Sequence, residues 1–170
     1  MKKGKWLSVL LAAVMVFTMI PMTAFAAEAG ELWVNGVNII AATDHTVACG
    51  NGTAVYAPEA QTLTLNNATL ETGNLACRAI DIPGNMELHI LLNGTNTIRY
   101  DSIGIFVGAQ SNLTLSGTGS LTIIISGTDN GIFSMSTVTV DGAALHVETA
   151  QDGAIAVEGA LDIKNGAKVT

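Results

Sequence analysis

The chain has 170 residues, of which 49% are hydrophobic and 12% are charged, and its formal net charge is −7. This length suits a single domain. The acidic balance argues against partners of like charge, such as nucleic acids and anionic membranes.

The first 26 residues have the pattern of a secretory signal peptide. Lys2, Lys3 and Lys5 precede an apolar run from Trp6 to Ile20, and the small-x-small sequence Ala24-Phe25-Ala26 follows. This order of charge, apolar run and cleavage sequence predicts export. An uncleaved membrane anchor is the alternative, but the run is short for a spanning helix. Cleavage would leave a secreted or cell-surface chain with no membrane insertion. Without the three lysines, the 7 basic residues fall to 4 against 14 acidic ones, and the net charge becomes −10.

Residues 27–60 predict an N-terminal β cap. Leu32–Ile40 indicates a hairpin around Asn35-Gly36, since Asn-Gly is a strong hairpin signal. A second hairpin is predicted around Pro58-Glu59-Ala60. We expect Trp33 to cover the apolar end of the structure that follows, rather than to bind a ligand.

Cys49 and Cys77 are the only cysteines. Export would permit a disulfide bond between them, which would join the cap to the first repeat. Two separate buried thiols are the alternative, because pairing is not readable from sequence.

Residues 61–170 repeat one phrase, in which an alternating apolar strand leads through a polar turn into a second strand. The residues just before the turn are Leu65, Leu92, Leu115, Val140 and Ile163. They are 27, 23, 25 and 23 residues apart, a period that is typical of stacked supersecondary units. A further strand, read as Gly104-Ile105-Phe106-Val107 in one copy, gives each unit about three strands.

These patterns predict an all-β fold, a right-handed parallel β-helix solenoid of about five coils behind the β-hairpin cap. Period-2 alternation indicates strands, and parallel crossovers are right-handed. The predicted inward residues are Leu63, Leu65, Ile90, Leu92, Leu113, Leu115, Val138, Val140, Leu161 and Ile163. The turn position predicts a ladder of stacked polar side chains. It reads Asn66, Asn93, Ser116, Asp141, and then Lys164 with Asn165.

The sequence offers little support for nucleophilic catalysis. Of the three histidines, His89 and His146 are predicted to face outward on different strands, without a Ser or Cys partner at a recognisable spacing. Metal-binding histidine spacing is absent. For a polysaccharide lyase, only Arg78 and Arg99 are available as basic residues. We therefore expect no enzyme.

An acidic column is predicted in the loop before the Gly-Ile strand. It contains Asp101, Asp129 and Asp152, with Asn130 beside the second. Carboxylate and carbonyl oxygens at strand spacing are ligands that suit Ca²⁺. The alternative is that these residues are ordinary turn formers.

An outward position of the same strand predicts a ligand-binding surface. It reads Asp81, Phe106, Phe133 and Ala156 in successive repeats. The exposed aromatic pair could stack on sugar rings, or it could only stiffen the sheet.

Several phrases together carry a resemblance to a known family. They are Leu-x-Val-Asn-Gly-Val-x-Ile at Leu32–Ile39, Thr-Leu-Thr-Leu-Asn-Asn-Ala at Thr62–Ala68, and the repeated Gly-Ile-x-Val and Leu-Thr-Leu-Ser-Gly-x-Gly. From Leu32 onward the chain resembles secreted carbohydrate-binding β-helix proteins of Gram-positive bacteria, within the pectin-lyase-like architecture. The resemblance implies non-catalytic binding of polysaccharides, including acidic ones, with calcium at Asp101, Asp129 and Asp152. The short motifs of pectin-degrading hydrolases are missing.

We therefore expect an extracellular carbohydrate-binding or adhesin module. A polysaccharide lyase and a structural surface spacer are the alternatives.

Overall fold

The computed structural model describes residues 30–71, 78–151 and 153–170. The predicted signal peptide, Cys77 and Asp152 lie outside these residues. Within them, no helix is long and apolar enough to cross a membrane. Strands dominate, and one short 3₁₀ helix spans Pro58–Ala60.

Antiparallel strands form the N-terminal part. They are β1 (Trp33–Val34), β2 (Val37–Asn38), β3 (Thr46–Cys49) and β4 (Gly52–Ala57). The predicted hairpin of β1 and β2 is confirmed, with Asn35 and Gly36 both at positive φ in its turn. The second hairpin is also confirmed, because β4 pairs antiparallel with the first strand of the repeats. β3 adds a further antiparallel strand to β4.

The remainder forms four complete coils of three strands and two strands of a fifth. Coil 1 contains β5 (Thr62–Asn66), β6 (Thr69–Glu71) and β7 (Arg78–Ile82). Coil 2 contains β8 (Glu87–Asn93), β9 (Thr95–Tyr100) and β10 (Ile103–Val107). Coil 3 contains β11 (Asn112–Gly117), β12 (Ser120–Ile125) and β13 (Ile132–Ser134). Coil 4 contains β14 (Val138–Asp141), β15 (Ala144–Thr149) and β16 (Ile155–Val157), and β17 (Leu161–Lys164) and β18 (Lys168–Val169) follow.

Each strand pairs in parallel with its equivalents in the neighbouring coils, so the coils stack into three sheets. Sheet 1 contains the first strands of the coils, in the order β17-β14-β11-β8-β5, and β4 and β3 extend its edge. Sheet 2 has the order β18-β15-β12-β9-β6. Sheet 3 has the order β16-β13-β10-β7, and β1 and β2 extend it. The predicted parallel β-solenoid is confirmed, whereas its right-handed sense stays a prediction.

The core lies between the three sheets and is made by the alternating residues of their strands. Eight of the ten predicted inward residues are buried; they are Leu63, Leu65, Ile90, Leu92, Leu113, Leu115, Val138 and Val140. Leu161 and Ile163 lie in the inward register as predicted, but they are 41% and 50% exposed. They occupy the inward register of Val138 and Val140. Among the described strands, however, none pairs with β17 on its other side.

The predicted register between coils 2 and 3 is wrong by two residues. Leu115 pairs with Ile90, and Leu92 lies opposite Gly117. Buried Ser111 aligns the starts of the two strands, because its Oγ accepts the Met86 N–H at 3.1 Å. Gly117, with a φ of +114°, then crosses Leu92 where a Cβ atom would overlap the Leu92 backbone.

The predicted ladder of turn side chains is consequently interrupted. Asn93 Nδ2 donates to Asn66 Oδ1 at 3.0 Å, and Asn165 Nδ2 donates to Asp141 Oδ1 at 2.6 Å. Ser116 pairs with Leu91 instead of Asn93, because of the two-residue shift. The ladder therefore exists as two separate amide contacts rather than as one column.

Glycines at one position of successive coils allow sheets 2 and 3 to pack closely inside the solenoid. A Cβ atom on Gly104 would overlap Gly131 and Ile123, and one on Gly131 would overlap Val147. The repeated Gly-Ile phrase is therefore a packing requirement, and it fixes which residue of each sheet-3 strand faces outward.

Candidate functional site

The outward row of sheet 3 is the surface that the sequence predicted for ligand binding. Phe106 pairs with Asp81 on one side and with Phe133 on the other, and Phe133 pairs with Ala156. The register prediction for these four residues is confirmed. The two phenyl rings are stacked, with centroids 6.0 Å apart and an interplanar angle of 14°.

An ion pair covers the ring of Phe106. The Arg78 Nη1 atom lies 3.0 Å from Asp81 Oδ1 and 2.9 Å from Oδ2. The Arg78 Cζ atom lies 3.6 Å from the ring centroid of Phe106, a cation–π contact. Because both charged groups are held in place, they can offer hydrogen bonds to a ligand with little further loss of side-chain freedom.

Trp33 also belongs to this row, contrary to our prediction that it covers the end of the solenoid. β1 pairs antiparallel with β7 and places Trp33 opposite Asp81. Its neighbours Leu32 and Val34 are fully buried, whereas Trp33 is 36% exposed. Successive residues of a strand face opposite sides, so burial of these two neighbours turns the indole outward. Its Nε1–H donates to Glu31 Oε2 at 3.3 Å.

A cleft of about 390 Å³ opens where sheet 2 ends. Glu71, Arg99, Tyr100, Asp101, Ile124 and Ser126 line it. Burial raises the pKa of the Tyr100 hydroxyl, and the negative charge of Asp101, joined by that of Cys49 once its thiol is deprotonated, adds to this effect. Tyr100 therefore stays protonated at neutral pH and donates to Asn35 Oδ1 at 2.7 Å. The cleft thus combines one guanidinium group with two carboxyl groups.

Two of the predicted calcium ligands, Asp129 and Asn130, make contacts between coils. The Asp129 carboxylate accepts a hydrogen bond from Ser102 Oγ at 2.8 Å, so its contact in coil 2 is Ser102. Asn130 Nδ2 donates to Gly153 O at 2.7 Å, which ties coil 3 to coil 4. Gly127 passes over the backbone of Asp101. In the part of the chain that the structure describes, no three His, Cys, Asp or Glu side chains are grouped so that they could hold a metal ion.

His89 has a serine partner that the spacing did not reveal. Its Nε2 atom and Ser116 Oγ form a 2.6 Å hydrogen bond between the neighbouring coils 2 and 3. The prediction that His89 lacks such a partner is wrong, because the coil repeat brings residues 27 positions apart into contact. His146 contacts Thr170 Oγ1 through Nδ1 and Glu148 Oε1 through Nε2, each at 2.8 Å.

Cys49 is a buried thiol in β3. Its Sγ–H donates to Val47 O at 3.5 Å. Burial raises the pKa of this thiol, and a hydrogen bond from the Ala54 backbone acts in the opposite direction. The pairing with Cys77 stays a prediction, because Cys77 lies outside the described residues.

Sequence reasoning found Asp81, Phe106 and Phe133 but missed the place of Trp33 and the role of Arg78. The first three share one position of the repeat, so period counting aligns them. Trp33 joins the row through an antiparallel strand outside the repeat, which no periodicity indicates. Arg78 lies three residues before Asp81, a spacing that would have signalled an ion pair only once the local strand geometry was known.

Comparison with known proteins identifies no relative for this arrangement. The chain matches no protein family, no curated protein and no solved structure. Statements about its function therefore rest on the contacts described above.

Proposed function

We propose that this protein is a non-catalytic extracellular module that binds polysaccharide, as a carbohydrate-binding or adhesin domain. The observation that carries the proposal is the outward row of sheet 3, which contains Trp33, Asp81, Phe106 and Phe133 with Arg78 packed on it. Exposed aromatic groups that are rimmed by polar side chains often mark a binding site.

The chemistry of this row suits sugars. Aromatic side chains offer apolar surface to the C–H groups of a sugar ring, while a carboxylate and a guanidinium offer hydrogen bonds to its hydroxyl groups. From Trp33 to Ala156 the row crosses five adjacent strands, which corresponds to roughly 19 Å at the usual strand spacing. A row of this length could contact several sugar units of one chain. The predicted signal peptide supports a location outside the cell.

A glycan array with the chain lacking residues 1–26 tests the proposal. We expect binding to at least one polysaccharide, and Trp33→Ala should weaken it because the indole is the largest exposed group of the row. Leu91→Ala is the matched control, since it shortens an outward apolar side chain of sheet 1. Absence of binding to every glycan would reject the proposal and favour a structural spacer.

A polysaccharide lyase is the second candidate, and the cleft of sheet 2 favours it. Arg99 lies there with Glu71 and Asp101. Elimination from an acidic sugar begins with removal of the proton beside its carboxyl group, and a positive side chain can assist that step by neutralising the carboxylate. Ultraviolet absorbance of unsaturated products after incubation with pectin, lost in Arg99→Ala, would establish this activity.

A further inference from the structure

The stacked groups of sheet 3 form a column that runs along the solenoid axis. Arg78 lies against Phe106, and Phe106 lies against Phe133. β10 lies between β7 and β13 in the sheet. Arg78 and Phe133 therefore contact Phe106 from the two neighbouring strands, which leaves less of its ring for a ligand.

The ring of Phe133 differs, because its second side faces coil 4. The residue paired with Phe133 there is Ala156. An alanine side chain ends at Cβ, so it does not fill the position that a third ring of the column would occupy. Adjacent strands are ~4.8 Å apart, which leaves room for one ring in contact with Phe133.

The space beside the Phe133 ring and over Ala156 is called the gap here. An apolar side chain borders it on one side, and an acidic side chain lies at its rim. Met135 is 44% exposed and follows Phe133 by two residues, so it projects on the same side of the sheet. The Glu158 N–H donates to Ser134 O at 2.8 Å, which places Glu158 beside Met135 in the neighbouring coil. Glu158 is exposed. A ligand in the gap would meet the Phe133 ring, the Met135 side chain and, at its edge, one carboxylate.

A pyranose ring has the matching chemistry. Its C–H groups form an apolar face, and its hydroxyl groups project from the edge, where they can donate to a carboxylate. A purely aromatic ligand has no hydroxyl groups at its edge, so it would not gain a hydrogen bond to Glu158.

The charge around the gap further restricts the class of sugar that it would bind. The chain has a formal net charge of −7, and the gap itself is bordered by Glu158. A uronic acid unit would place a second carboxylate in this acidic surrounding, where like charges repel. The same reasoning disfavours sulfated sugars.

We propose that the gap above Phe133, floored by Ala156 and bordered by Met135 and Glu158, is a subsite for one neutral pyranose unit of a polysaccharide. The inference rests on the proposed function and narrows it from polysaccharides in general to neutral ones. It also assigns the two phenylalanines different roles. Phe133 contacts the sugar, whereas Phe106 supports Phe133.

Titration calorimetry with defined oligosaccharides tests the subsite. The neutral probes are cellohexaose, mannohexaose and xylohexaose, and the acidic probe is hexagalacturonate. At least one neutral probe should bind more tightly than the acidic one. Phe133→Leu should weaken that binding about fivefold to tenfold through loss of the stacked ring. Ala156→Phe should remove the binding, because the new side chain fills the gap itself.

Ala144→Phe is the matched control, since it adds the same ring at an exposed outward position of sheet 2. It should leave affinity unchanged, and unfolding midpoints of all variants should show that each is folded. Neutral binding that persists in both Phe133→Leu and Ala156→Phe would overturn the subsite while the proposed function stands. Preference for hexagalacturonate would overturn the assignment to neutral sugars. Failure of every oligosaccharide, together with a blank glycan array, would overturn both.

Discussion

Asn96 shows how one polar residue holds three coils together inside the apolar core. It is completely buried, at an inward position that Leu121 occupies in the next coil. Its Oδ1 accepts the Ala68 N–H at 2.9 Å, and its Nδ2 donates to Asn93 O and to Ser120 O, each at 3.2 Å. The amide, whose own side chain is fully buried, thus joins coils 1, 2 and 3.

Replacing Asn96 should therefore destabilise the fold although the residue is polar. Asn96→Leu preserves approximate volume but leaves the Ala68 N–H without its acceptor and removes a donor from two carbonyl groups. We expect a loss of roughly 2–4 kcal/mol in the free energy of unfolding, measured by urea denaturation. Thr97→Val, on the outward side of the same strand, should change it by less than about 0.5 kcal/mol. Equal effects of the two substitutions would contradict this account.

At the scale of the element, the loops that lead from sheet 2 into sheet 3 are tied together by side chains. Ser102 binds Asp129, and Asn130 binds the Gly153 carbonyl. Each contact joins one coil to the next. These loops therefore hold neighbouring coils together, as the paired strands do, but through side chains instead of regular backbone pairing. Calcium at Asp101, Asp129 and Asp152 stays a proposal, and it requires that these loops also hold a cation.

The calcium proposal has a direct thermal test. Millimolar Ca²⁺ should raise the unfolding midpoint, and a chelator should lower it, because an ion that binds only the folded state stabilises it. Asp129→Asn keeps an oxygen for Ser102 but removes the charge, so it should weaken the response to Ca²⁺. Asp44→Asn, at an exposed position in the N-terminal part, is the control. A midpoint that does not move with Ca²⁺ in the parent chain would exclude the proposal.

At the scale of the whole molecule, the junction of the N-terminal strands and the coils buries groups that can ionise at high pH. Burial raises the pKa of Cys49 from 9.0 and the pKa values of Tyr56 and Tyr100 from 10.0. All three groups are neutral when protonated, and they lose their protons more readily in the unfolded chain. Their contribution to stability is fully present below the unfolded-state pKa values and is lost as pH rises through the folded-state ones.

Alkaline conditions should therefore unfold the protein cooperatively. The free energy of unfolding should be nearly constant around neutral pH and fall above about pH 9, by up to ~1.4 kcal/mol per pH unit for each group. Urea denaturation at pH 7, 9, 10 and 11 measures this slope. Tyr56→Phe retains the buried ring and should reduce the slope above pH 10. An unchanged slope would show that Tyr56 ionises equally easily in both states.

The sequence alone was sufficient for the architecture and for part of the candidate site. Alternation in Leu63-Thr64-Leu65 and its repeats predicts strands with one buried face, and the regular return of Gly-Ile phrases predicts stacked coils. Asp81, Phe106 and Phe133 were aligned correctly because the same glycine-led strand carries Phe106 and Phe133, and the Ala79-Ile80 pair carries Asp81 in an equivalent place. These signals lie within short stretches of sequence, so they can be recognised without the tertiary structure.

Only the tertiary structure decided the details of register. A shift of two residues between β8 and β11 keeps every side chain on its own face, so the apolar pattern cannot distinguish Leu92 from Ile90 as the partner of Leu115. Trp33 reaches the outward row of sheet 3 through an antiparallel strand outside the repeat, and His89 meets Ser116 diagonally between coils. Contacts of this kind depend on how strands are aligned across the sheet, and alignment is set by turns, glycines and buried polar groups acting together rather than by any single stretch of sequence.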